Sequence, residues 1–256
     1  MRIGKGWALL LVALTLVACS GGGGGSAPTS TARATPDEAT KDGQTISEDS
    51  AVVMVHVTSW RIEGSFASPT YTGTFVEERS GADYHEVMKV AQGTAESLYV
   101  RGQLYLKMSA SLLTAGRGSG VSAPLGDRWL HLTQDRGEFY DLHIELEGHA
   151  LAECVGGAID GDRLTAAGTE EVRGQKAIVL RSTGSRPGTA AGRVDVAYHG
   201  LRPLRYTLLG PVDKSGEPCA GSLFPEVHTL TAATYDYVSF AAVSLTSPLG
   251  AIDVNA

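Results

Sequence analysis

The feature that most constrains this fold is an alternation that begins near Thr58. Trp60, Ile62, Gly64 and Phe66 fall on one side, and Ser59, Arg61, Glu63 and Ser65 on the other. Successive side chains leave a strand in opposite directions, so a period of two marks a strand with one buried face. Similar runs cover Tyr71 to Arg79, Asp83 to Ala91, Ala95 to Arg101 and Gln103 to Met108. Ser80-Gly81-Ala82, Gln92-Gly93 and Arg101-Gly102 separate them with turn chemistry. A second series runs Arg163 to Val172, Gln175 to Ser182, Ala190 to Tyr198, Leu204 to Leu209 and Glu226 to Phe240, with joints at Arg173-Gly174 and His199-Gly200.

Between the two series the period changes. Ser109 to Ala115 reads as a short helix, followed by a Gly/Ser loop through Gly126. Phe139, Leu142, Leu146, Ala150 and Cys154 then recur at helical spacing. Asp135 and Glu138 form a capping-box start, and Gly156-Gly157 is expected to stop the helix. The order is about five strands, a helical insertion and about five more strands, which is an α+β domain.

The N-terminus gives the location. Arg2 and Lys5 form a positive leader, and Trp7 to Ala18 is apolar apart from Thr15. A membrane helix needs roughly 20 such residues, so this stretch is a signal peptide core. It ends Leu16-Val17-Ala18-Cys19, which resembles the lipobox of bacterial lipoproteins. That resemblance implies removal of residues 1–18 and a diacylglyceryl group on the Cys19 thiol. Two acyl chains anchor stably where one does so marginally. The expected place is the extracytoplasmic side of a cell membrane. Residues 19–50 are rich in Gly, Ser, Thr, Ala and Pro and read as a flexible tether, leaving 51–256 as one domain.

Charge and cysteines narrow the function. The formal net charge is −7, and becomes more negative once Arg2 and Lys5 leave with the signal. An acidic chain without a dense Lys/Arg patch is a poor nucleic-acid binder. With Cys19 lipidated, Cys154 and Cys219 remain, an even pair that in an oxidising compartment points to a disulfide. The alternative is two separate buried thiols.

Catalytic and metal motifs are missing. Gly120-Val121-Ser122-Ala123-Pro124 lacks the last glycine of a nucleophile elbow. His143 and His149 are six apart, about 240° around a helix, and share no ion. Asp160-Gly161-Asp162 reads as a hairpin turn, because the other calcium-loop positions are absent. Tyr235 and Tyr237 read as exposed cross-strand residues, with saccharide binding through them as the alternative, and Trp129 as an anchor between helices. No enzyme and no cofactor is expected.

A family resemblance then enters. Val100-Arg101-Gly102-Gln103-Leu104-Tyr105-Leu106-Lys107, a helix, Gly126-Asp127-Arg128-Trp129 and a longer helix resemble, in that order, the actinobacterial LolA-like lipoproteins of the LppX/LprG lipid-carrier family. Gly168-Thr169-Glu170-Glu171-Val172-Arg173-Gly174-Gln175-Lys176-Ala177 is similar to a family hairpin, and Ser247 to Val254 to its closing segment. The resemblance implies a strongly curved antiparallel sheet, a half-barrel, with helices across its concave face and a cavity for acyl chains. Carried over by position, the wall is Trp60, Ile62, Phe66, Phe75, Leu104 and Leu106, closed by Leu112, Leu113, Phe139, Leu142 and Leu146. The expected ligand is an acyl lipid or glycolipid. The same residues equally suit a filled core, and then the chain is a surface module for a protein or cell-wall partner.

Overall fold

The computed structural model describes residues 37–112, 125–132, 151–213 and 229–254. After a 3-10 turn at Glu38–Thr40 comes α1 (Gly43–Val55). Then follow β1 (Ser59–Ala67), β2 (Thr72–Ser80), β3 (Asp83–Val90), β4 (Gly93–Val100), β5 (Gln103–Met108) and β6 (Leu130–Leu132). The helix α2 (Leu151–Asp160) leads into β7 (Thr165–Val172), β8 (Gln175–Thr183), β9 (Ala191–Ala197), β10 (Pro203–Leu208), β11 (Ala232–Ser239) and β12 (Ile252–Asp253).

All strands join one 12-stranded sheet, ordered β12-β6-β5-β4-β3-β2-β1-β11-β10-β9-β8-β7. Every pairing is antiparallel except β12 with β6. The α+β expectation holds, and the two strand series lie where the alternation put them. Turn chemistry explains the tight joints. Arg101-Gly102 and Arg173-Gly174 each take two successive positive φ angles (52° and 75°, 51° and 77°). That is the mirror-image turn whose twist matches a two-residue hairpin.

One face of the sheet is the inner one. A continuous apolar cluster runs from Met88 of β3 and Ala95 of β4, through Phe75, Ile62 and Tyr235, to Ile178 and Leu180 of β8. Leu151, Cys154, Val155 and Ile159 of α2 belong to the same cluster. The sheet is curved around that helix. Gly192 of β9 lets Ile159 approach closely, since a Cβ there would lie 2.6 Å from its side chain.

Several expectations change. The helix α1 occupies part of the stretch read as tether. Asp42 caps it through the N–H groups of Gln44 and Thr45, and Ile46 is fully buried. Its composition hid it, because only Gly43, Ile46 and Ser50 are buried. Gly156-Gly157 does not stop α2, which continues to Asp160. Asp160-Gly161-Asp162 is therefore a helix exit and not a hairpin. Asp162 pins the chain after β8, accepting from Ser182 Oγ at 3.1 Å, Thr183 N–H at 3.1 Å and Ser185 Oγ at 2.8 Å. Trp129 packs with Leu98, Val100, Tyr105, Leu245 and Ala251, beside β4 and β5. The helix expected from Phe139 and the His143–His149 stretch fall largely outside the described residues.

Candidate functional site

A cleft of about 210 Å³ opens between α2 and the inner face. Its lining is Trp60 and Ile62 of β1, Ala152, Glu153, Gly156, Gly157 and Asp160 of α2, Tyr206 of β10, and Tyr235 and Tyr237 of β11. Strand register brings these together. Ile62 pairs with Tyr237, Gly64 with Tyr235, and Tyr235 with Tyr206, so the alternation of three strands converges on one patch. The helix contributes its narrowest stretch. A Cβ on Gly156 would meet the Tyr235 hydroxyl at 2.8 Å, whereas one on Gly157 would meet nothing within 4 Å. Two glycines in succession thus leave the helix bare where it faces the rings.

The cleft has a dry floor and a wet rim. Trp60, Ile62, Ala152, Gly156 and Tyr235 are buried, Tyr206 and Tyr237 half-buried, and Glu153, Gly157 and Asp160 exposed. Tyr206 and Tyr235 stack with centroids 5.0 Å apart, and Trp60 meets Tyr237 edge-on at 5.8 Å. Their hydroxyls hold the helix. Tyr235 Oη donates to the Ala152 carbonyl at 3.0 Å, and Tyr206 Oη donates to Asp160 at 2.9 Å. The expectation that Tyr235 and Tyr237 are exposed is corrected: β11 lies inside the sheet between β1 and β10, and its inner face turns toward α2, which leaves Tyr235 buried and Tyr237 half-buried.

Behind the cleft lies an unexpected pair. Glu77 of β2 and Glu86 of β3 are direct cross-strand partners and almost fully buried. Such neighbours place their Cβ atoms about 4.5–5.5 Å apart. The Ala152 N–H donates to Glu77 at 3.3 Å, and the Leu151 N–H donates to Glu86. The second oxygen of each carboxyl has no hydrogen-bond partner among the described residues. Burial pushes both carboxyls up, Glu86 to about 8, and for Glu77 the charge of Glu86 adds to burial. Both shifts favour the protonated carboxyls, which removes the repulsion between like charges in one site. Asp160 is also raised, to about 6, by the atoms crowding it, against the opposing hydroxyl of Tyr206.

Among the residues expected on a cavity wall, Trp60 and Ile62 line this cleft. Phe66 and Phe75 are buried in the same core, and Leu112 packs against it. Leu104 and Leu106 form a separate buried cluster with Leu132. Leu113, Phe139, Leu142 and Leu146 lie outside the described residues, as do Cys19 and Cys219. Cys154 is buried on α2. Tyr206 and the buried carboxylates were not foreseen, although one signal existed: Glu86 sits between Tyr84 and Met88 at alternate positions, on the apolar side of its strand. Among the described residues no group of three or more His, Cys, Asp or Glu is arranged to hold a metal, and no helix is long and apolar enough to cross a membrane.

No protein-family model and no curated protein matches the chain. Solved structures do. Lipoprotein LppX of Mycobacterium tuberculosis aligns at 12% identity with a TM-score of 0.44, covering 75% of this chain and 91% of that one. A LolA superfamily protein from Nitrosomonas europaea aligns at 12% identity and 0.27, covering 80% and 96%. MucB of Pseudomonas aeruginosa, solved with MucA, aligns at 12% identity and 0.36, covering 78% of this chain and 58% of that one. These scores describe a likeness in outline and assign no site. The chain is similar to the LolA-like lipoproteins, LppX among them, that its strand and turn motifs resemble.

Proposed function

We propose that the chain is an extracytoplasmic, membrane-anchored binding protein that takes the apolar part of an amphiphilic lipid or glycolipid into the cleft beneath α2. One observation carries this reading: about 210 Å³ of space with a buried floor of Trp60, Ile62, Ala152 and Tyr235 and a glycine-bare helix above it. Drug-sized sites run to about 300–1,000 Å³, so the cleft suits one acyl segment and not a whole lipid. Removing that segment from water yields about 25 cal/mol per Å² of apolar surface. Cys19 would carry the anchor, and residues up to α1 would set its reach. A disulfide between Cys154 and Cys219 would tie α2 to the segment after β10, adding roughly 4 kcal/mol on the chain-entropy model.

The competing reading is a module for a protein or cell-wall partner, using the exposed Val52 and Val55 of α1. Mass spectrometry of organic extracts of the purified chain separates the two. Acyl-chain masses support the binding reading. Their absence, together with no binding of added acyl amphiphiles, rejects it in favour of the interaction module. Non-reducing peptide maps should recover Cys154 joined to Cys219, and the mature protein should carry a diacylglyceryl mass on Cys19.

A further inference from the structure

We infer that the amphiphile taken by this cleft carries a cationic ammonium head group, seated at the rim against Asp160 and the rings of Tyr206 and Tyr237. The inference rests on the binding reading above and names the ligand class for the same site.

The lining has a polarity. Its floor is apolar, and its exposed members are Glu153, Gly157 and Asp160. A chain-and-head molecule fits that gradient with its tail inward and its head at the carboxylates. Among the described lining residues there is no Lys, Arg or His. The nearby guanidinium of Arg79 is already paired with Glu153. An anionic head would meet carboxylates with no free counter-charge among the described lining residues. A cation meets Asp160 directly.

The rings point the same way. Tyr206 and Tyr237 lie 6.4 Å apart at 53°, and Trp60 stands 5.8 Å from Tyr237. Aromatic faces attract cations, most strongly where water is partly excluded, and cages of such rings are a known way to hold quaternary ammonium groups.

Asp160 is the last residue of α2, where a negative charge opposes the helix dipole. Held by the Tyr206 hydroxyl and exposed at the mouth of the cleft, it is placed to meet a ligand.

The test is titration calorimetry on the full chain carrying Cys19→Ser, which lacks the lipid. The probes are dodecyltrimethylammonium, dodecyl sulfate and dodecyl maltoside, each below its micelle-forming concentration, and tetramethylammonium. The ammonium amphiphile is expected to bind at least about tenfold tighter than the sulfate. Asp160→Asn should erase that preference and leave maltoside binding in place. The ranking in the parent chain requires no variant to fold. Sulfate binding as tightly as ammonium overturns the head-group inference and leaves the binding reading standing. No binding by any amphiphile overturns the binding reading itself. Tetramethylammonium binding as tightly as its dodecyl counterpart overturns the amphiphile class.

Discussion

The inner face of the sheet is built in two ways. Beneath α2 it carries a tryptophan, three tyrosines and, just behind them, two buried carboxyls. Toward β5 and β6 it carries Leu104, Leu106 and Leu132, which close on one another with Tyr99 and Val254 against them. Both regions come from strands with the same alternation. Branched aliphatic side chains interdigitate to interior density, so a leucine region of this kind is expected to fill. The rings of Tyr235 and Tyr206, tied by their hydroxyls to the Ala152 carbonyl and the Asp160 side chain, cannot slide into a gap, and Gly157 offers nothing to fill it from above. A cleft results where the side chains are largest, not where they are smallest.

The largest expected effect lies in the filled region. Leu104 is fully buried, and Leu104→Ala should cost about 2–5 kcal/mol by chemical denaturation. Amphiphile affinity should not change. An equal loss of affinity and stability would mean that the two regions are one site.

Leu106→Trp sharpens the contrast from the opposite side. If the leucine cluster is full, the larger ring should cost about 1–3 kcal/mol. Near-unchanged melting would show that this wing also is hollow and would extend the ligand space to β5.

A third effect separates the regions by pH. Glu77 and Glu86 are raised in the folded chain, so their contribution is fully present below the ordinary carboxylate pKa of about 4.3 and is lost as pH rises through the folded values. For Glu86 that loss begins above the ordinary value and is complete near 8. The melting temperature should therefore fall as pH rises from about 4.5 to about 8, and Glu86→Gln should flatten the profile. A wild-type slope retained in Glu86→Gln would remove the protonated pair from the account.

Much of this was legible before the structure. The alternation located the two strand series, and Arg101-Gly102 and Arg173-Gly174 located hairpins, because turn sterics and pleat geometry are local. What was illegible depends on pairing. Glu77 and Glu86 are eight residues of hairpin away from each other, and charged side chains in strands ordinarily face water. Only the register sets them side by side under α2. Tyr235 likewise became buried, and Tyr237 half-buried, through β1 on one side and β10 on the other, a juxtaposition of distant segments. The helix α1 was missed for a different reason. Its Gly, Ser, Thr and Asp content matches a tether, and a single deeply buried isoleucine gives no periodicity to detect.

The smallest change in stability and the clearest change in binding should come at Gly157. The residue is helical and lines the cleft, and a Cβ there meets nothing within 4 Å. Replacing a helix glycine relieves up to about 1 kcal/mol of propensity cost, so Gly157→Phe should melt at or slightly above the parent temperature. Its ring should occupy the space an acyl segment needs. Titration of both chains with dodecyl maltoside measures this directly. The account predicts binding to the parent and at least about a tenfold loss in Gly157→Phe at unchanged stability. Equal binding by the two folded proteins would contradict a ligand cleft beneath α2.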